Sequence, residues 1–109
     1  MKINLMQPIH NRVGGEQTVG QILCDLLDAG FGLSDVERIK AVVLAEKMGS
    51  GYDDLTQPQA DLLKKTFKAA PSQAWITAAI VFHVWPEDLE AEDRAILAQR
   101  FLAFAPAVS

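Results

Sequence analysis

Residues 72–85 read Ser-Gln-Ala-Trp-Ile-Thr-Ala-Ala-Ile-Val-Phe-His-Val-Trp, and Pro86 follows. The stretch predicts a helix that is apolar almost all the way round. It ends where proline removes the next N–H and disfavours helix in the residue before it. A helix without a broad polar face has to be surrounded by other structure. It is therefore expected to be the hub of a small helical domain, with Trp75, Ile76, Ala79, Ile80 and Phe82 inside. At 14 residues it is shorter than the roughly 20 that a bilayer span takes. As a core helix it leaves little room for a catalytic cleft.

On either side of this stretch the chain is punctuated by helix signals. Thr18 is a candidate N-cap for a helix over 19–29, where Val19, Ile22, Leu23, Leu26 and Leu27 lie at helical spacing and Gly30 is a stop. Ser34-Asp35-Val36-Glu37 is a capping box: the Ser34 hydroxyl takes a free backbone N–H and Glu37 reaches back. The helix it starts is expected to reach Met48 and stop at Gly49, with Val36, Ile39 and Val43 as its inner stripe and Val42 and Leu44 widening it. Thr56-Gln57-Pro58-Gln59 is a second capping box, and its helix runs to about Ala70. Leu63, Phe67 and Ala70 mark one face and Lys64, Lys65 and Lys68 the other. Beyond Pro86 a last helix is expected over 88–104, its acidic start suited to the positive end of the helix dipole, with a frayed tail at 105–109. Near the start, Ile3 and Leu5 alternate with polar neighbours. Gly14-Gly15 offers a turn and Gln17-Thr18-Val19 a returning strand, so a short hairpin within residues 1–17 is possible if Pro8 sits at an edge. The fold class expected is mainly α: one domain over 1–109, a compact bundle of about five helices with an optional N-terminal β-hairpin.

Composition narrows function by exclusion. The chain has 109 residues, half of them hydrophobic, and a formal net charge of −4. That is enough for one core without staples, and it lacks the concentrated basic surface of a dedicated nucleic-acid binder. Cys24 is the only cysteine, so no internal disulfide forms, and a reducing, cytoplasmic location is expected, with no membrane association. Cys24 reads as a buried thiol and His83 as a packed histidine, and no Cys or Asp pattern joins His10 and His83 into a metal site. The glycines at 14, 15 and 20 lack the Gly-Lys-Ser/Thr ending of a phosphate loop and read as a turn. No enzyme, cofactor or metal is expected.

Two surfaces invite a partner. The apolar breadth of the last helix, with Ile96, Phe101, Leu102 and Phe104, exceeds one inner stripe and suggests either deep packing within the monomer or a protein interface or homodimer, rimmed by Glu87, Asp88, Glu90, Glu92 and Asp93. The alternative is a nucleic-acid-associated regulator using Lys64, Lys65 and Lys68 as phosphate contacts, although three lysines without arginine or aromatic neighbours favour a solvated face.

The layout of the first 70 residues adds an analogy. The opening Met-Lys-Ile-Asn-Leu is followed by a Gly-rich turn and a helix entered at Gln-Thr-Val-Gly-Gln-Ile-Leu. Val-Val-Leu-Ala-Glu-Lys-Met and Tyr-Asp-Asp-Leu-Thr-Gln-Pro-Gln-Ala-Asp-Leu-Leu-Lys-Lys come next. This order resembles small proteins of tailed bacteriophages and prophages. Many of those have no assigned activity, so the resemblance implies no catalytic residue. It implies a non-enzymatic interaction protein, acting in the host cytoplasm through a helical surface.

Overall fold

The computed structural model describes residues 1–10 and 16–101. Five α-helices and one two-stranded antiparallel hairpin make up its regular structure, so the mainly helical class holds. Among the described residues no helix is long and apolar enough to cross a membrane. The expectations for Gly14 and Gly15, for the His10 side chain, for Leu102 and Phe104, and for the tail at 105–109 lie outside the described residues. The chain groups into two units: Met1–Gln7 with Thr18–Pro71, and Pro8–Gln17 with the residues from Ser72 onward.

Three helices build the first unit: α1 (Val19–Ala29), α2 (Asp35–Gly49) and α3 (Gln57–Ala69). Each begins at a reciprocal capping box, which satisfies two of the backbone N–H groups a helix start leaves free. The Ser34 hydroxyl accepts from the Glu37 N–H at 3.3 Å, and Glu37 Oε1 accepts from the Ser34 N–H at 3.0 Å. Thr56 and Gln59 repeat the pattern, and so do Thr18 and Gln21, where the sequence had suggested only the Thr18 half. Gly30 ends α1 in the left-handed region at φ 63°, a conformation that costs any residue with a Cβ. α2 runs one residue past the expected Met48 and is capped at Ser50.

α1 lies along α2, and α3 packs against both. The face that α2 buries is Ala41, Leu44, Ala45 and Met48. This corrects the expected inner stripe, since Val36, Ile39, Val42 and Val43 all stand exposed. Ala41 and Ala45 are four residues apart, one above the other, and give α2 a shallow strip. Interaxial distance depends on the side chains at the contact, so small residues there admit the closest approach. The approach is visible where the Cys24 thiol of α1 reaches the Ala45 carbonyl at 3.6 Å. A face of β-branched side chains would hold α1 further off.

The N-terminal segment belongs to this unit and is not the first strand of a hairpin. The Ile3 N–H donates to the Asp53 carbonyl at 2.9 Å and the Leu55 N–H to the Met1 carbonyl at 2.8 Å, with Lys2 opposite Asp54 in an isolated antiparallel bridge. Leu5 then meets the first turn of α1: its carbonyl accepts the Gly20 N–H at 2.9 Å. A Cβ at residue 20 would stand 2.9 Å from that same oxygen, so Gly20 serves a close backbone approach.

In the second unit the strand β1 (Pro8–His10) pairs with β2 (Glu16–Thr18). Pro8 opens its strand, one of the few places a sheet tolerates proline. α4 (Ala74–Val84) packs against a 3₁₀ turn (Pro86–Asp88) and against α5 (Ala91–Phe101). The last helix thus starts later than the expected residue 88. Arg94 holds the turn before it, donating to the Pro86 carbonyl at 2.8 Å and the Leu89 carbonyl at 3.2 Å. The expectation of α4 as a fully enclosed hub also needs correction. Ala79 and Ile80 are buried, as is Trp85 at its end, but Trp75, Ile76 and Phe82 remain partly exposed.

The orientation of α2 gives a direct expectation for stability. Leu44→Ala removes a buried side chain and should cost about 2–5 kcal/mol. Ile39→Ala, on the outward face, should change stability by no more than about 0.5 kcal/mol. Urea denaturation of the two variants checks this, and equal losses would place both faces inside.

Candidate functional site

Val36, Ile39 and Val43 follow one another at helical spacing on α2, and Val42 flanks them. They are 64, 67, 50 and 45 % exposed, respectively. Single apolar side chains at a surface need no explanation, but these four are neighbours on one helix, and the largest apolar patch of a monomer is often functional. The row borders a groove of about 260 Å³ between α2 and α3, lined by Ile39, Val43, Leu44, Pro58 and Leu62 with Lys40 and Lys47 at its mouth. Leu44 is buried and forms the floor. The sequence does contain these residues as an apolar stripe; what it does not reveal is that the stripe faces out.

The groove is framed by fixed groups. At its α2 start the Lys65 ammonium of α3 sits 2.9 and 3.0 Å from the two Glu37 carboxylate oxygens. Glu37 therefore serves both the helix cap and a bridge between helices. Its carboxyl is held down at about 2, first by the Ser34 backbone N–H, then by the Lys65 ammonium and the Ser34 hydroxyl. On the α3 side the Gln57 amide donates to Asp61 at 2.8 Å. At the other end the Tyr52 hydroxyl donates to Gln59 at 2.7 Å, and the Lys47 ammonium stands 5.8 Å from the centre of the Tyr52 ring. Among the described residues neither Lys40 nor Lys47 has a carboxylate partner.

The residues singled out from the sequence fall differently. Glu87 and Asp88 lie in the 3₁₀ turn, Glu90 precedes α5, and Glu92 and Asp93 are in its first turn, all exposed. Ile96 is 56 % exposed, whereas Phe101 is buried at 6 %. The Phe101 ring packs 5.6 Å from Phe82 and 6.0 Å from His83, centre to centre. Phe101 is thus removed from the expected interface by packing with α4. In the lysine stripe, Lys65 is neutralised by Glu37 and Lys64 is also engaged.

The arrangement offers no poised acid, base or nucleophile among these groups. Burial pushes the Cys24 thiol up, helped by Asp28, Asp25 and Glu46, which favours the unreactive protonated form. Burial pushes His83 down, which favours the neutral ring, and the ring packs edge-on against Phe82 at 5.1 Å. No group of three His, Cys, Asp or Glu among the described residues is placed to hold a metal ion. No family model, curated protein or solved structure matches this chain.

The depressed Glu37 carboxyl sets a pH dependence. A carboxyl whose folded pKa lies below its unfolded value contributes stability above the unfolded pKa and loses it as pH falls through the folded one. The window runs from the ordinary value of 4.5 down to about 2. The stability advantage of the natural chain over Glu37→Gln should therefore shrink steadily across that window. Denaturation midpoints at a series of pH values check this; a constant difference would mean that the Ser34–Glu37–Lys65 arrangement does not persist in solution.

Proposed function

We propose that this chain is a non-enzymatic protein-interaction module of phage or prophage origin that binds a partner protein in the host cytoplasm through a helical surface. The surface is the outward face of α2 with the adjoining groove to α3. One observation carries the reading: four neighbouring apolar side chains, each between 45 and 67 % exposed, on a well-capped helix. Burying an exposed Val or Ile fully is worth roughly 1.5–3 kcal/mol. Four partly exposed ones give a partner several kcal/mol to gain before the costs of association. The rigid cap at Ser34 and the Glu37–Lys65 bridge support the reading too, because a pre-formed face loses little freedom on binding. The phage assignment rests on the resemblance of residues 1–70, and the cytoplasmic one on the single thiol. Among the described residues of the α5 surface, Ile96 is exposed, Leu97 half-buried and Phe101 buried.

A photo-crosslinking residue placed at position 39 should form a discrete adduct with another protein in bacterial cells. The same residue at exposed Gln99 should not. Unlabelled natural chain should compete the adduct away, and Ile39→Asp/Val43→Asp should not, although its thermal melting is unchanged. Equal labelling at 39 and 99, or competition by the double variant, would rule out α2 as the docking face.

A further inference from the structure

We infer that the occupant of the α2–α3 groove is an amphipathic helix of a partner protein that carries two carboxylates about seven residues apart beside its apolar stripe. The inference rests on the proposed role of the α2 face and adds the chemistry of its partner. Lys40 and Lys47 are seven residues apart on the same side of α2, which places them about 10 Å apart along the axis. They stand between the apolar row and α3, at the groove mouth. Of the carboxylates nearby, Glu37 is held by Lys65, while Asp61 accepts from the neutral Gln57 amide, keeps its charge and lines a neighbouring depression with Lys40, so the lysine flank is only partly offset. Glu46 acts on the Cys24 thiol of α1 and does not line the groove. A helix seated on Ile39 and Val43 therefore meets two ammonium groups along one flank. Self-docking of two α2 helices in antiparallel order would set Lys40 of one copy near Lys47 of the other, a like-charge contact that counts against a second copy. Carboxylates on the partner, spaced as the lysines are, convert that flank to attraction and fix the register of the bound helix, as paired charges beside an apolar seam do in helix recognition.

The test uses the full chain as target and a displayed library of 18-residue helix-forming peptides with randomised surface positions as probe. Enriched peptides should carry apolar residues at three- and four-residue spacing with Asp or Glu on one flank. A synthetic copy should bind at least tenfold more weakly to Lys40→Glu/Lys47→Glu, and a peptide with its acids changed to lysine should recover binding to that variant. Binding should be lost with Ile39→Asp. If enriched peptides need Ile39 but are indifferent to the lysine reversal, the acidic partner is wrong while α2 remains a docking face. If no peptide is enriched, or binding ignores Ile39, both readings fail. Sedimentation velocity of the chain alone closes the remaining route: self-association abolished by Ile39→Asp would assign the face to a second copy and overturn the inference.

Discussion

The close approach of α1 to α2 over Ala41 and Ala45 fixes the rest of the first unit. α2 has apolar side chains on two sides, and only one can face inward. The side with Ala41 and Ala45 is shallower there, and the Cys24 thiol of α1 reaches the Ala45 carbonyl at 3.6 Å. Once that side is chosen, Glu37 faces α3, where Lys65 meets it. Lys40 and Lys47 fall at the groove mouth, and Val36, Ile39 and Val43 are left facing outward.

The starts of α1, α2 and α3 are the most legible part of the fold, because a capping box is a local device whose hydrogen bonds depend on four consecutive residues. The Ser34 and Thr56 boxes form as read, and Gly30 ends α1 where it was expected. Orientation was less legible, because periodicity shows that α2 has apolar stripes but not which of two will pack; that depends on the size of residues facing α1. The N-terminal hairpin forms as expected, but its first strand is Pro8–His10 and not the segment of Ile3 and Leu5. Alternation at Ile3 and Leu5 is real, but their backbone partners are Asp53 and Gly20, far away in sequence. The late start of α5 depends on Arg94 reaching back to two carbonyls, a contact no periodicity encodes.

The candidate site inherits this pattern. An exposed apolar face was invisible as such because its residues were credited to the core, while Phe101, credited to an interface, packs with Phe82 and His83. The groups that most resembled chemistry in the sequence, Cys24 and His83, are each shifted by burial toward their neutral forms. The face that α2 turns outward presents an apolar row, a groove beside it, and two lysines two turns apart. If the proposed partner binds there, specificity comes from where those charges stand.

Thiol accessibility decides most directly which side of α2 faces water. With Cys24 replaced by serine, single cysteines at positions 39, 43, 44 and 48 can be titrated with a maleimide in the native chain. Cysteines at 39 and 43 should react at rates close to those of the unfolded chain, and those at 44 and 48 should be protected by at least a hundredfold. Protection at 39 and 43 with rapid reaction at 44 and 48 would reverse the helix and remove the docking face with it.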